Sequence, residues 1–571
     1  MASGEQQEHA AAAALLLQPK VEGGGGEAYA MDGSLDIDGN PALKRHTGGW
    51  RACRFILGTE LCYCLAYYGI KYNLVTHLAT ELHQSNVAAA KNVSTWQATC
   101  FLTPLAGAVV ADSYWGRYRT MVASCCVCVA GMLMAALSPL LLVVPAQELV
   151  LFAGLYMIAF GVGGLRPSLM SFGADQFDAG DPSERVSKGS LFNWFIFTMS
   201  CGAVASTTGV VWVQDHYGWE LGLGIPVIVL AAGLCCLFAA SRAFRFQATR
   251  GGGDPLTRVC QVVAAAVCKF NVAPPADAAL LHELPEDDAC CSMKGVERIE
   301  HTTGLRFFDK AAVVTAGDDD ERNPWRLCEV TQVEEVKILV RMLPLWASVA
   351  VFYSGTAQNN STFVEQGMAM DGRVGPVRVP PASLVTFQTL TTIALIPLYD
   401  RAFVPAARRL TGREKGVPDL ARVGAGLAAL VLAMAAAAAV ETARAAARGG
   451  AAATSILWLA PQYVLLGVAE LLASVGQLEF FHSQAPAGMK TVCTALGLLA
   501  IAAGDYLSSL VVTAVSWATS AGGRRAGWIP DDLGEGRLDR FFWLMAALGC
   551  LNLVAFTACA VRYSYRSRKA C

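Results

Sequence analysis

The feature that most constrains this chain is a succession of long apolar segments. A helix needs about 20 mostly apolar residues to cross a bilayer, and twelve such segments run through the 571 residues. They centre on 53–78, 92–112, 119–143, 148–172, 189–213, 219–241, 334–363, 380–403, 420–441, 454–481, 489–518 and 540–562. The sequence therefore predicts an all-α membrane protein with twelve transmembrane helices, numbered as spans 1 to 12 here.

The composition agrees with a membrane location. Hydrophobic residues make up 54% of the chain and charged residues only 16%, whereas soluble domains carry about 25% charged residues. The net charge of −2 gives no reason to expect a nucleic-acid partner.

The spans fall into two sets of six, and this arrangement predicts the domains. Residues 1–50 are expected to be a disordered cytoplasmic tail, 51–241 an N-terminal six-helix bundle, 242–330 a cytoplasmic linker and 331–565 a C-terminal six-helix bundle. Six plus six with a polar linker is the layout of major facilitator transporters, in which two bundles move around a site near the membrane midplane. Within the linker, residues 255–272 are predicted to form an amphipathic helix against the membrane.

Basic residues in short loops indicate the orientation, because such loops stay on the cytoplasmic side. With the N-terminus inside, the inner loops carry most of the basic residues, among them Arg119, Lys188 and Arg409. The last outer loop, with Arg524 and Arg525, is an exception. Both termini and the linker are predicted to be cytoplasmic.

Spans 2 and 8, equivalent positions in the two halves, end in similar patterns. Span 2 ends in "GAVVADSYWGRYR", with Asp112 before Arg117, and span 8 ends in "LYDRAFVPAARR", with Asp400 before two arginines. An acid followed by a base at a cytoplasmic helix end can form an interhelix latch that opens during transport; it can also simply anchor the topology. On either interpretation these residues are structural rather than substrate-binding.

Ionisable residues inside spans are rare and usually functional. Four are found here: Glu60 in span 1, Arg166 in span 4, Glu470 in span 10 and Asp505 in span 11. Glu60 and Arg166 lie at matching depths, which predicts a pair. Arg166 and Glu470 offer opposite charges from the two halves, and this suits a zwitterion such as a short peptide; alternatively, these charges only neutralise one another.

Several motifs resemble the plant nitrate transporter/peptide transporter family, a branch of the proton-coupled oligopeptide transporters in the major facilitator superfamily. They are "GTELCYCLAYYGIKYNLVTHL", "NVSTWQATCFLTPLAGAVVADSYWGRYRT", "SFGADQFD", "FNWF" and "PQYVLLGVAELLASVGQLEFFHSQAP". The resemblance covers about residues 45–565 and is greatest to the peptide-transporting branch. It implies a major facilitator fold and proton-driven uptake of small nitrogenous solutes.

The resemblance also implies roles for individual residues. The family's first span carries Glu-x-x-Glu-Arg/Lys followed by Tyr-Tyr-Gly; here Glu60 matches the first acid, while Tyr63 and Cys64 replace the second acid and the base. Glu60 is therefore the expected proton-coupling residue, and Asp505 the alternative. The residues expected to bind substrate are Tyr68, Arg166, Gln358 and Glu470.

These observations predict a secondary transporter for dipeptides or tripeptides, with modified or absent proton coupling. A carrier of nitrate, hormone or metabolite, and a non-transporting sensor, remain alternatives. Span 7 lacks the histidine by which nitrate-binding relatives can recognise nitrate. No enzymatic motif, cofactor site or metal-ligand spacing is found, and the plasma membrane is expected rather than the vacuolar membrane.

Overall fold

A computed structural model describes residues 29–563, except 85, 142, 179, 248–254, 276, 278–279, 284–298, 316–322, 375–376, 380, 413–415, 447–454, 521–526 and 530–536. Within these residues the fold is almost entirely helical. The strands Arg373–Val374 and Val377–Arg378 form a small antiparallel hairpin. The predicted all-α class is confirmed.

The first half of the chain forms six long helices. They are α1 (Gly49–Lys71), α2 (Asn86–Val110, with a π-helical turn at Ala111–Trp115), α3 (Arg117–Leu137), α4 (Val144–Ala174), α5 (Pro182–Ala205, continued by Ser206–Val210 and Val211–Tyr217) and α6 (Trp219–Ala239). Shorter helices lie at Leu74–Thr80, Ser138–Leu140 and Ser241–Ala243. Each long helix overlaps one predicted span.

The second half repeats the pattern after the linker, whose helices are Pro255–Cys268, Arg306–Asp309 and Lys310–Ala312. The long helices are α7 (Val330–Thr356), α8 (Val385–Leu398, continued by a π-helical turn at Tyr399–Phe403 and by Val404–Thr411), α9 (Asp419–Ala446), α10 (Ala460–Gln484), α11 (Lys490–Ser520) and α12 (Leu538–Arg562). Short helices lie at Ala357–Asn360, Thr362–Met368, Pro381–Leu384, Ile456–Leu459 and Ala487–Met489.

In the described part of the chain, ten helices are long and apolar enough to cross a membrane. The two long helices outside this set are α1 and α8. α1 carries four charged residues, and the regular α-helical part of α8 has only 14 residues before its π-helical turn. At 1.5 Å per residue α1 still extends about 35 Å, and it packs against α5 and α6. The count of twelve spans stays a prediction.

Two apolar cores, one centred in each half of the chain, fill the interior. The first also takes in Ile396, Leu471, Val475 and Leu478 of the C-terminal half, and the second takes in Ala108 of the N-terminal half. In the N-terminal bundle α4 packs on α2 and α3, and in the C-terminal bundle α9 packs on α10 and α12 while α7 packs on α11. Between the bundles, α2 and α4 contact α11, and α5 contacts α8 and α10. Each bundle therefore has its own core, and the two cores meet along the helices that form the interface between the bundles.

Small residues allow a close backbone approach between α3 and α4. A Cβ atom on Gly131 would lie 2.7 Å from the carbonyl oxygen of Gly154, and one on Gly154 would lie 2.6 Å from that of Gly131. Helices in membranes gain stability from such backbone contact, since apolar side chains gain little from leaving lipid. Neither glycine can be replaced without separating the two helices.

The N-terminal segment corrects the predicted boundary at residue 50. Residues 29–48 fold against the N-terminal bundle: Ala30 N–H donates to Ala42 O at 2.9 Å, and Leu35 exchanges two backbone hydrogen bonds with Phe246. The prediction of a disordered tail is therefore wrong for residues 29–48. The remainder of that tail, 1–28, lies outside the described residues.

The linker helix Pro255–Cys268 occupies most of the segment predicted to be amphipathic. Its residues Val262, Ala265 and Ala266 are buried in a small cluster with the linker and the start of α7. Val263 and Val267, on the opposite face, are exposed. One face of this helix is therefore covered by protein, and its contact with the membrane stays a prediction.

Candidate functional site

Glu60 lies in the middle of α1 and is fully buried. The thiol of Cys64, one turn further along, donates to Glu60 Oε1 at 3.2 Å. Glu60 Oε2 has no hydrogen-bond partner among the described residues. A buried carboxylate with one weak donor is poorly compensated, and the cause is a cysteine at position 64, where the family resemblance implies a base.

The tyrosines of α1 stack instead of ordering Glu60. The rings of Tyr63 and Tyr67 are 5.8 Å apart, and Tyr67 also contacts Trp96 at 5.7 Å. The hydroxyl of Tyr63 is buried and has no hydrogen-bond partner among the described residues. The stripe of phenols is therefore mainly packing, and only Tyr68, which is half-buried, remains available to a ligand.

Arg166 does not form the predicted ion pair with Glu60. Both residues are described, and no salt bridge within 4.0 Å joins them; the guanidinium instead donates from Nη2 to Met199 Sδ at 3.5 Å. The charge of Arg166 still acts on both Glu60 and Tyr68. Arg166 is half-buried, so its donors are available to a ligand.

Glu470 is held by a chain of amides in the C-terminal bundle. Gln388 of α8 donates to Glu470 Oε2 at 2.9 Å, and Asn359, after α7, donates to Gln388 Oε1 at 2.9 Å. Glu470 also acts electrostatically on Tyr68. Tyr68 is thus within electrostatic reach of both Arg166 and Glu470, which come from opposite bundles.

Gln358 is placed differently from the prediction. Its side chain is fully buried and donates to Ser508 Oγ of α11 at 2.8 Å and to Ser354 O at 3.0 Å. Its Oε1 accepts from Thr362 Oγ1 at 2.9 Å. Since these partners occupy its polar atoms, Gln358 joins α7 to α11. The neighbouring Asn359 is instead linked to Glu470 through Gln388. A substrate contact by Gln358 stays a prediction, and it would require these hydrogen bonds to be exchanged.

Asp505 has an oppositely charged neighbour that the sequence interpretation missed. Lys71, at the end of α1, lies within electrostatic reach of the exposed Asp505 on α11. Lys71 Nζ is 5.8 Å from the ring centre of Tyr68 and 5.7 Å from that of Tyr72, distances typical of cation–π contacts. Lys71 lies near a helix end, where lysines commonly extend to the membrane surface. Its residue type and position in the sequence therefore did not predict an interaction with Asp505.

At the end of the molecule that carries Asp112 and Asp400, named the latch end here, the two bundles are joined. Asp112 Oδ2 accepts from the backbone N–H groups of Thr491 at 2.8 Å and Val492 at 3.2 Å, and its Oδ1 accepts from Thr491 Oγ1 at 2.6 Å. A carboxylate is favourable at a helix N-terminus, where N–H groups are unpaired and the dipole is positive. Asp112 of α2 thus caps α11 of the opposite bundle.

Arg117 supports this contact. It donates to Asp112 Oδ1 at 3.1 Å, to Thr491 Oγ1 at 2.9 Å and to Asp175 Oδ2. Lys490 Nζ lies 3.6 Å from Asp175 Oδ1. Burial by itself would raise the pKa of Asp175, but Arg117 and Lys490 outweigh it and hold that pKa below its usual value. Asp175 therefore stays ionised at the latch end.

Asp400, at the corresponding position of α8, also contacts the opposite bundle. Its carboxylate accepts from Asn193 Nδ2 at 2.9 Å and from Trp194 Nε1 at 3.2 Å, both on α5. Arg422 of α9 donates to Asn193 Oδ1 at 2.6 Å. The partners of Asp400 are thus side chains of the opposite bundle, rather than Arg401 or Arg408 that follow it in sequence.

Comparison with known proteins assigns the family. The sequence model of the POT family matches residues 118–529. Protein NRT1/PTR FAMILY 8.3 of Arabidopsis thaliana is 47% identical over 568 residues, covering 94% of this chain and 95% of that protein. NRT1/PTR FAMILY 8.5 of the same plant is 46% identical, covering 94% and 93%. The chain belongs to the POT family.

Solved POT structures share the fold. An auto-inhibited POT family peptide transporter superposes with a TM-score of 0.59 at 24% identity, covering 91% of this chain and 98% of that one. The POT transporter PepTSo gives a TM-score of 0.58 at 23% identity, covering 90% and 98%. POT proteins are transporters, and the protein is accordingly a multi-pass membrane protein. The predicted resemblance is confirmed.

One cluster with metal-ligand geometry lies where the linker meets the start of α7. His301, Asp309 and Glu334 bring ligand atoms within 4.8 Å of one another. Lys337 Nζ already lies 2.6 Å from Asp309 Oδ1 and 2.7 Å from Glu334 Oε1. The ammonium group supplies the cation that these carboxylates need, and the cluster ties the linker to the start of α7.

Proposed function

We propose that the protein is a proton-coupled transporter of dipeptides and tripeptides in the plasma membrane, with both termini cytoplasmic. The observation that carries this proposal is the position of Tyr68 within electrostatic reach of Arg166 on one bundle and Glu470 on the other. A cation and a carboxylate on opposite walls suit a ligand with an anionic and a cationic end. An inorganic anion would have no use for Glu470.

In this proposal the two charged ends of the peptide meet different bundles. The planar guanidinium of Arg166 can hold a carboxylate through two parallel hydrogen bonds. The ammonium group of the peptide meets Glu470, which Gln388 orients by its hydrogen bond to Oε2. A ligand that bridges the two walls favours closure of the bundles around it.

The proton is assigned to Glu60. Its present contacts are limited to the Cys64 thiol and the more distant charge of Arg166. When the peptide carboxylate engages Arg166, that cation is no longer free to balance Glu60, and Glu60 takes up a proton. One proton would then accompany one peptide, with Arg166 serving in place of the base that Cys64 replaces.

Release requires the latch end to open. Asp112 and Asp400 hold α11 and α5 across the bundle interface, and we assign both to the gate that closes the predicted cytoplasmic side. Rocking of the bundles would break these contacts and open the cavity at this end.

The altered motif on α1 favours a second candidate. Tyr63 and Cys64 remove an acid and a base that the peptide-transporting relatives carry, and this would suit a passive carrier of nitrate, a hormone or another metabolite. A non-transporting sensor that keeps the fold is the third candidate.

The deciding experiment is uptake of a labelled dipeptide and of nitrate in oocytes, at about pH 5.5 and about pH 7.5, with surface expression measured in parallel. Dipeptide uptake that increases at the lower pH supports the proposal, since an inward proton gradient would then drive it. Nitrate uptake alone would support the second candidate. Good surface expression with uptake of neither would support the sensor.

A further inference from the structure

The loop between α4 and α5 is held at both of its ends. Its first residue, Asp175, contacts Arg117 and lies 3.6 Å from Lys490 of the opposite bundle. Three residues later, Asp178 pairs with Lys44 near the N-terminus, and its side chain is fully buried. A contact that fixes the position of this loop therefore also fixes the position of Asp175 at the latch end.

The other end of this loop is bound by residues 29–48, named the N-terminal brace here. Lys44 Nζ lies 2.9 Å from Asp181 Oδ2 and 3.2 Å from Asp178 Oδ2. The backbone N–H of Met31 donates to Asp178 Oδ2 at 2.7 Å. The brace thus meets the loop with one cation and one backbone donor.

The residues after α6 complete the attachment. Arg245 is 1% exposed and donates to Glu184 at 2.8 Å and to Thr47 O of the brace at 2.9 Å. Gln176, within the loop, accepts from the backbone N–H of Arg245 at 2.8 Å. A Cβ atom on Gly48 would lie 2.2 Å from Arg245 Nε. Such close contacts leave the brace little freedom relative to the loop.

We propose that the N-terminal brace regulates the gate: Lys44 positions the 175–181 loop so that Asp175 holds Arg117 against Thr491, and the brace thereby favours the conformation in which the latch end is closed. Lys44 is a positioning residue, because it touches neither substrate nor the interface between bundles. The rate of gate opening would then respond to changes in the cytoplasmic N-terminus.

The charges of this contact persist across the pH range of the cell. Burial lowers the pKa of Lys44, but its bonds to Asp181 and Asp178 outweigh this and leave the pKa above its usual value. Burial raises the pKa of Asp178, but the Met31 and Gly180 amides and Lys44 leave it below its usual value. The stability that ionised Asp178 gives to this contact is lost only as the pH falls below about 4. The stability that protonated Lys44 gives to it is lost only as the pH rises above about 10. The brace is a mechanical element rather than a pH sensor.

The first test reads the gate without using a substrate. Hydrogen exchange at the Thr491 and Val492 amides reports on the latch, because Asp112 accepts from both. In the purified full-length protein, Lys44→Gln should increase their exchange by about threefold to tenfold, the range expected from losing a partly buried ion pair. Arg45→Gln removes the same charge from the exposed neighbouring residue and should change nothing. Lys44→Arg should restore the protection.

The second test rests on the proposed transport function. With the latch end less often closed, fewer molecules face outward, so Lys44→Gln should raise the external KM and lower the internal KM. Simple destabilisation would reduce the maximal rate without moving the two KM values in opposite directions. If the protein transports neither the dipeptide nor nitrate, the hydrogen-exchange test can still be carried out. A failure of the proposed transport function can therefore be told apart from a failure of the proposed role of the brace.

One result would overturn the inference. If Lys44→Gln increases exchange within residues 29–48 and 175–181 but leaves Thr491 and Val492 protected, the brace stabilises only its own surroundings. The same conclusion would follow if Arg45→Gln matched Lys44→Gln at those two amides.

Discussion

Asp112 at the end of α2 caps the first turn of α11 in the opposite bundle, with its Oδ2 2.8 Å from the amide nitrogen of Thr491. The contact is between a full negative charge and the positive end of a helix dipole. It depends on a backbone donor, so a substitution of Thr491 alone cannot remove it. Every transport cycle that opens the latch end must break it.

Asp112→Asn should weaken the closed latch end. The amide keeps one oxygen acceptor but loses the charge, and charge-assisted hydrogen bonds are worth about 1.5–3 kcal/mol against about 1 kcal/mol for neutral ones. We expect the exchange of the Thr491 and Val492 amides to increase by about threefold to tenfold. Glu220→Gln, a change of charge at an exposed position of α6, is the control and should leave both amides protected. Unchanged exchange in Asp112→Asn would mean that the dipole contact does not hold the gate.

Glu470→Gln should strongly weaken dipeptide transport. The ammonium group of the ligand would lose its charged acceptor, a loss of about 1.5–3 kcal/mol, so KM should rise by about tenfold to a hundredfold. An N-acetylated dipeptide lacks the ammonium group and should be nearly unaffected. If both ligands lose affinity equally, Glu470 is structural and the two-wall binding scheme fails.

Gln358→Leu should reduce stability and leave substrate affinity unchanged. The substitution leaves the buried hydroxyls of Ser508 and Thr362 without their present partner, at a cost of about 1–3 kcal/mol each. The melting temperature in detergent should therefore fall, whereas KM should stay within about twofold. Asn360→Ala, at an exposed position two residues further on, is the matched control. A large rise in KM would place Gln358 in the substrate site.

The contrast between Gln358 and Asn359 shows how far the sequence could predict the site. Hydropathy located the helices, and the acid at the end of spans 2 and 8 located the latch, because both signals depend on residue type over a long or repeated pattern. Which of two adjacent amides faces the cavity depends on helix rotation after α7, where Ala357–Asn360 is a tight turn. The sequence likewise could not predict the partners of the two latch acids, because these partners lie in the opposite bundle. Asp112 contacts the N-terminus of α11, and Asp400 contacts the side-chain amide of Asn193.

Arg166→Lys should be tolerated and Arg166→Ala should not. With Cys64 replacing the helix 1 base, Arg166 is the cation that acts on Glu60 and Tyr68, and a lysine would keep the charge while losing the bidentate geometry. The discriminating measurement compares a dipeptide with its C-terminal amide: Arg166→Ala should raise the KM of the first by about tenfold or more and scarcely affect the second. Normal dipeptide transport by a well-expressed Arg166→Ala variant would contradict the assignment.

The last prediction concerns the proton. Glu60→Gln replaces the ionisable carboxylate by a neutral amide. It preserves the shape of the side chain and an oxygen acceptor for the Cys64 thiol. We expect uptake to become independent of pH between about 5 and 8, while exchange of labelled for unlabelled peptide continues, because exchange needs substrate binding but no net proton movement. Wild-type currents should be inward and should increase at the lower pH.

Asp505→Asn is the matched variant for this experiment, since it also neutralises one carboxylate within a predicted span. Asp505 is exposed and interacts electrostatically with Lys71 of α1, whereas Glu60 is buried beside Cys64. Comparing the two substitutions therefore shows which of the two carboxylates is responsible for the pH response. If Asp505→Asn abolishes the pH response and Glu60→Gln does not, the proton site belongs to α11. If the unmodified protein shows no pH response, the buried carboxylate is a remnant of the family motif and the chain is a passive carrier. The Lys44 and Asp178 contact keeps its charges throughout this range, so a measured pH response would not come from the ion pair of the brace.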